Sequence, residues 1–228
     1  MKRKDYRHLL FDLDGTLTDP MEGITRSVRH ALRHFGIETA DLRTLTPFIG
    51  PPLAESFRDF CGFDETRIPE AIRVMREYFD ARGWRENRPY DGIACLLDRL
   101  QQAGYRLYVA TSKPTVFAER ILRHFDLIRY FLFVGGAELN GSRQAKSDVI
   151  GHVLDRNGIA DADACLMIGD RRHDIEGAAA IGMDACGVLW GYGSREELTA
   201  ARATYLADAP DDLAALLLRH AKHAPPSR

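Results

Sequence analysis

Short apolar runs recur along this chain, separated by stretches with helical spacing, and most of the runs end in a polar cluster. The runs are residues 8–12, 105–111, 130–135, 164–169 and 184–190, with 205–207 a shorter candidate. They are nearly continuous rather than alternating, which is the pattern of parallel strands covered on both faces. The intervening stretches 93–103, 115–124, 146–157 and 174–181 read as helices, and Gly104 and Gly182 stand where a helix end favours glycine. This alternation predicts an α/β fold, a doubly wound, Rossmann-like parallel sheet.

One region breaks the rhythm. From about residue 20 to residue 88 no run reads as a strand. Ile24, Val28, Ala31, Leu32 and Phe35 form an apolar stripe, with Arg26, Arg29, Arg33 and His34 on the other side. Ile72, Met75, Tyr78 and Phe79 mark a second helix. The expected organisation is a core of residues 1–18 and 89–228, with a small α-helical cap of residues 19–88 inserted after the first strand. At 228 residues the chain has room for one domain carrying such an insert. The crevice between the two parts is a natural ligand site.

Charge confines any anion site to a local feature. Lys and Arg number 31 against 33 Asp and Glu, a net charge of −2, so nothing draws the whole surface toward nucleic acid polymers or membranes. The cysteines, Cys61, Cys95, Cys165 and Cys186, show no CxxC or zinc spacing and read as thiols of a reducing compartment. The basic start lacks a following apolar segment, and the late apolar run at 213–218 falls far short of the ~20 residues of a membrane span. A cytoplasmic location is the expectation.

Polar clusters occupy residues 11–16, 110–114, 141–146 and 168–174, at or just beyond predicted strand ends, where open α/β sheets bind ligands. Asp12 and Asp14 are two apart and face one side if the strand continues. Asp170 and Asp174 are four apart and share a face of a helix start. Four carboxylates converging on one crevice repel each other unless a cation intervenes, and they form an oxygen site suited to magnesium. Such a cation attracts a phosphate, with Lys146 and the Thr111 hydroxyl completing the charge balance. Taken singly, each group has a plainer reading as a cap, a turn residue or a solvated lysine. Their joint placement at strand ends is what points to a site.

These residues resemble the haloacid dehalogenase-like hydrolase superfamily. Asp12-Leu13-Asp14-Gly15-Thr16-Leu17 is similar to its first motif, Thr111 to its second, Lys146 to its third, and Gly169-Asp170 with Asp174 to its fourth. Thr111-Ser112-Lys113-Pro114 and the insert's position resemble the phosphoglycolate phosphatase-like branch. Segments 48–53, 141–143 and 190–193 resemble members labelled 5′-nucleotidase. The resemblance implies that Asp12 is the nucleophile and Asp14 the acid and base. It implies magnesium held by Asp12, the Asp14 carbonyl, Asp170 and Asp174, and phosphoryl oxygens held by Thr111, Ser112 and Lys146. The implied activity is a magnesium-dependent phosphatase for a small phosphomonoester of the phosphoglycolate kind. Alternatives are a 5′-nucleotidase, a sugar-phosphate mutase with the same chemistry, and a phosphoryl-receiver module without turnover.

The cap would choose the substrate. Arg26 and the turn at Gly50 are the candidates for substrate contact, with Arg29 beside them; a solvated helix face and a plain helix connection are the competing readings. Phe48, Phe57, Phe63 and Trp84 could stack on a nucleobase or belong to the core. Arg171-Arg172-His173 replaces a small hydroxyl residue common at 171, and reads either as a modulator of the metal site or as an exposed turn, the turn being preferred.

Overall fold

The computed structural model of the chain describes residues 4–139, 142–143 and 145–218. Strand β1 (His8–Phe11) opens the main sheet. A two-residue strand, β2 (Thr18–Asp19), follows and pairs antiparallel with β3 (Arg88–Pro89). Between these two lie α1 (Met21–His34), a 3-10 segment at Leu42–Phe48, α2 (Leu53–Cys61) and α3 (Ile68–Ala81). The chain then runs through α4 (Ile93–Gln102), β4 (Arg106–Pro114), α5 (Thr115–His124), β5 (Phe133–Ala137), α6 (Lys146–Arg156) and β6 (Cys165–Gly169). It closes with α7 (Arg172–Ala179), β7 (Asp184–Val188), α8 (Arg195–Ala200), β8 (Tyr205–Ala207) and α9 (Pro210–Leu218). The sheet order is β5-β4-β1-β6-β7-β8 with every pairing parallel. This is the expected doubly wound α/β fold.

Strand alternation explains the layers. Leu9 and Phe11 face one apolar cluster together with α4, α5 and α9, while Leu10 faces the other together with α6, α7 and α8. Both faces are covered, which is why the runs looked continuous in sequence. The first cluster also extends without a break into the insert, through Ile24, Val28, Phe57, Met75 and Phe79.

Three local readings need correction. The run at 130–135 begins instead as a 3-10 turn at Ile128–Tyr130, closed by Tyr130 N–H donating to Leu127 O, and β5 starts only at Phe133. Helix α7 begins at Arg172 rather than Asp174, because the Asp174 carboxylate accepts the Arg171 amide and so sits inside the first turn. The β2–β3 ribbon has no counterpart in the sequence reading; two residues per strand are too few to show a period.

Candidate active site

β1 lies between β4 and β6, where connections leave toward opposite faces and the sheet opens a crevice at its carboxyl edge. Phe11 is in register with Val109 on one side and Ile168 on the other. Asp12, Thr111 and Asp170 therefore leave the sheet close together. The Asp12 amide donates to Ile168 O at 2.8 Å, carrying the ladder one residue further. The chain then turns sharply at Gly15, whose φ is +83°. Only glycine fits there: a Cβ would stand 2.2 Å from Asp170 Oδ2.

Asp12, Asp170 and Asp174 each bring a carboxylate oxygen within 4.8 Å of the others, and all three are buried. Lys146, the first residue of α6, answers this charge. Its Nζ lies 2.9 Å from Asp12 Oδ1, 2.7 Å from Asp174 Oδ1 and 3.1 Å from Ala110 O. Burial disfavours the ammonium, but Asp12 and Asp174 outweigh it and hold the lysine pKa above its ordinary value. Burial likewise raises the Asp170 carboxyl well above the usual range, and the neighbouring Asp174 and Asp12 charges add to it. Asp174 is raised by burial and opposed by Lys146.

Three buried carboxylates against one lysine leave the cluster short of positive charge. The donors are all hard oxygens, and the backbone leaves them space. At Gly169 a Cβ would come within 2.1 Å of Asp174 Cγ, and at Gly191 within 2.5 Å of Asp170 Oδ2. The set fits a magnesium-sized cation.

Asp14 departs from the four-carboxylate picture, since its side chain stands apart from the other three. Its Oδ2 accepts from Lys113 Nζ at 2.5 Å, and Oδ1 is buried without a hydrogen-bond partner among the described residues. Burial raises the Asp14 pKa and the Lys113 charge opposes it. Thr111 is buried at the floor, with its hydroxyl accepting from the Lys113 amide at 3.3 Å.

The segment 190–193 braces this floor. Trp190 Nε1 donates to Thr16 O at 3.0 Å, and the Tyr192 amide donates to Asp170 Oδ2 at 2.7 Å. Arg171 is not the exposed turn residue that the sequence favoured. Its side chain is largely buried, with Nη1 donating to Ile49 O in the insert at 2.5 Å and Nε to Glu197 at 3.0 Å. Gly50 packs on it: with φ at +101°, a Cβ there would lie 2.7 Å from Arg171 Cγ.

A cleft of about 140 Å³ lies between the sheet edge and the insert. Its floor is Asp12, Asp14, Thr111, Ser112 and Lys113; its roof includes Phe48, Gly50, Leu53, Ile72, Met75 and Phe79. Of the substrate candidates, Thr111, Ser112 and Gly50 line it. Lys146 sits behind the floor on Asp12. Arg26 does not line the cleft, because Glu86 at 2.7 Å and Glu22 at 3.0 Å draw it to the far side of α1. Of the aromatic candidates Phe48 reaches the cleft, whereas Phe57, Phe63 and Trp84 are core. Asn140, Gly141 and Gln144, part of the third polar cluster, lie outside the described residues. Lys113 and Arg76 are cleft residues to which the sequence assigned no role; both looked like ordinary surface cations.

Residues 9–188 match the model of the haloacid dehalogenase-like hydrolase family, to which this chain belongs. A Pseudomonas aeruginosa protein named 5′-nucleotidase is 52% identical over 211 residues, 92% of this chain and 94% of that one. The tyrosine-protein kinase PtkA of Mycobacterium tuberculosis is 46% identical over 185 residues, 81% of this chain and 62% of that one. The crystal structure of a predicted phosphatase from Clostridium acetobutylicum superimposes with a TM-score of 0.92 at 46% identity, covering 94% of this chain and 99% of its own. The chain is thus a phosphatase of this family, a phosphoric monoester hydrolase with small phosphate esters as its substrate class. Among the described residues no helix is long and apolar enough to cross a membrane.

Proposed function

We propose that this chain is a magnesium-dependent phosphatase whose substrates are nucleoside monophosphates, with residues 19–88 serving as a cap on a core of residues 1–18 and 89–228. The observation that carries the substrate choice is the contrast between a charged floor and an apolar, partly aromatic roof. The cleft's cations have partners already: Lys113 holds Asp14, and Arg76 donates to Leu139 O at 3.2 Å. A carboxylate such as that of phosphoglycolate therefore meets little free positive charge, whereas a nucleoside has apolar surface to bury against Phe48, Ile72 and Met75. The name of the 52% identical relative supports the same choice.

In this reading Asp12 attacks the phosphorus in line and takes the phosphoryl group, forming an aspartyl-phosphate while the P–O bond to the nucleoside breaks. Asp14 gives its proton to the departing 5′-oxygen through the cleft-facing Oδ1. It then takes a proton from the water that cleaves the acyl phosphate, restoring Asp12 and releasing inorganic phosphate. Lys146 holds Asp12 in place and, with Thr111 and Ser112, faces the charge spread over the phosphoryl oxygens. Asp12, Asp170 and Asp174, with the Asp14 carbonyl, would hold magnesium, which supplies positive charge to the carboxylates and the transferred group.

Phosphate release from a panel of esters with magnesium tests this. Nucleoside 5′-monophosphates should exceed 2-phosphoglycolate in kcat/KM by about tenfold or more. The opposite order would overturn the substrate choice. Recovery of the phosphoryl group on a peptide tyrosine rather than in water would overturn the hydrolytic assignment.

A further inference from the structure

The geometry points to Lys113 as the positioning residue for Asp14, the group that fixes which carboxylate oxygen faces the leaving group. This rests on the reading of Asp14 as the general acid. Lys113 follows a register shift in the β4–β5 pairing between Thr111 and Pro114. Such an irregularity re-aims a side chain out of the strand's alternation. Gly136 on β5 permits it, since a Cβ there would lie 2.4 Å from Lys113 O and 2.8 Å from the Thr115 amide nitrogen.

The redirected ammonium has two partners from different parts of the fold. On the core side it donates to Asp14 Oδ2 at 2.5 Å, with both side chains nearly buried. On the insert side it lies 4.6 Å from the ring centroid of Phe79, on α3. Phe79 is itself held edge-on by Phe117 of α5, ring centroids 5.2 Å apart. The ammonium thus occupies one Asp14 oxygen and leaves the other, Oδ1, directed at the cleft without a partner. A proton on Oδ1 has nowhere to go except to a group bound there. One carboxylate oxygen is committed to the lysine and the other to the substrate.

A structural lysine and a positioning lysine differ in how their loss depends on the leaving group. An alkyl ester such as a nucleoside monophosphate needs its departing oxygen protonated; 4-nitrophenyl phosphate does not. The parameter kcat/KM covers only steps up to departure of the alcohol, so the later hydrolysis of the acyl phosphate does not blur the comparison. In the full-length protein with magnesium, Lys113→Met should lose about a hundredfold in kcat/KM on the nucleotide and less than about tenfold on 4-nitrophenyl phosphate. Lys113→Gln is measured alongside, so that misfolding of one variant leaves the comparison intact. A partly unfolded preparation loses both substrates equally. Equal loss on the two esters, or no loss on either, overturns the inference. Asp14→Asn separates the two claims. If it shows the leaving-group-dependent loss and the Lys113 variants do not, Lys113 has no positioning role. If it loses both esters equally, the reading of Asp14 as the acid fails independently of Lys113.

Discussion

At the cleft floor, Asp12, Asp170 and Asp174 crowd around one lysine, each carboxylate buried and placed by a strand end or the first turn of a helix. At the roof, Phe48, Leu53, Ile72 and Met75 are apolar, and they are positioned by packing within a helical insert. The floor holds uncompensated negative charge that favourable packing alone does not stabilise. The roof gains from burial and carries no such conflict. Changes to the floor should therefore alter rate by orders of magnitude, while changes to the roof should alter substrate preference by modest factors.

Asp12→Asn tests the floor most severely. Turnover should fall by about 10⁴-fold or more in a phosphate-release assay. The melting temperature should hold or rise, because one member of a repelling cluster becomes neutral. A variant with near-normal rate would remove the nucleophile assignment.

Lys146→Met comes next and affects stability as well as rate. It strips the counter-charge from Asp12 and Asp174, and denaturant unfolding without metal should show a loss of about 3–5 kcal/mol. Magnesium should narrow that gap by binding the folded state. An unchanged midpoint would show that the lysine does not balance the cluster.

Gly50→Ala probes the junction of floor and roof. The positive φ and the close approach to Arg171 should cost about 1–3 kcal/mol in the same unfolding experiment. A neutral result would mean that the turn relaxes away from Arg171.

Ile72→Ala should have the smallest effect. It should lower kcat/KM on a nucleoside monophosphate by about tenfold through lost apolar contact and leave a short alkyl phosphate unchanged. Equal losses on both would erase the distinction between a catalytic floor and a selective roof.

The floor was more legible in sequence than the roof for a physical reason. A strand end fixes its neighbours: once 8–12 and 164–169 read as adjacent parallel strands, Asp12 and Asp170 had to meet. Phe79, Met75 and Ile72 also read correctly as one helical face, but periodicity does not say whether an apolar face meets core or cleft. Arg26 illustrates the same gap, since its Glu86 partner is 60 residues away. Lys113 was hidden because the register shift that aims it arises from pairing with β5, not from its own neighbours. Arg171 looked solvated for a similar reason: the Ile49 carbonyl that buries it lies 122 positions earlier in the chain.

The β2–β3 ribbon has a mechanical meaning. Entry and exit of the helical insert are two tethers, and loose tethers would let it slide and twist. Pairing Thr18 with Pro89 and Asp19 with Arg88 fuses them into a single pivot. Asp19 pins that pivot from both sides, accepting from Arg88 at 2.9 Å and from the hydroxyl of Tyr192 on the core. A lid on one clasped pivot returns to the same seat after each excursion. Phe79 would then meet Lys113 in the same place at every closure, so the alignment of the acid would be renewed with each catalytic cycle.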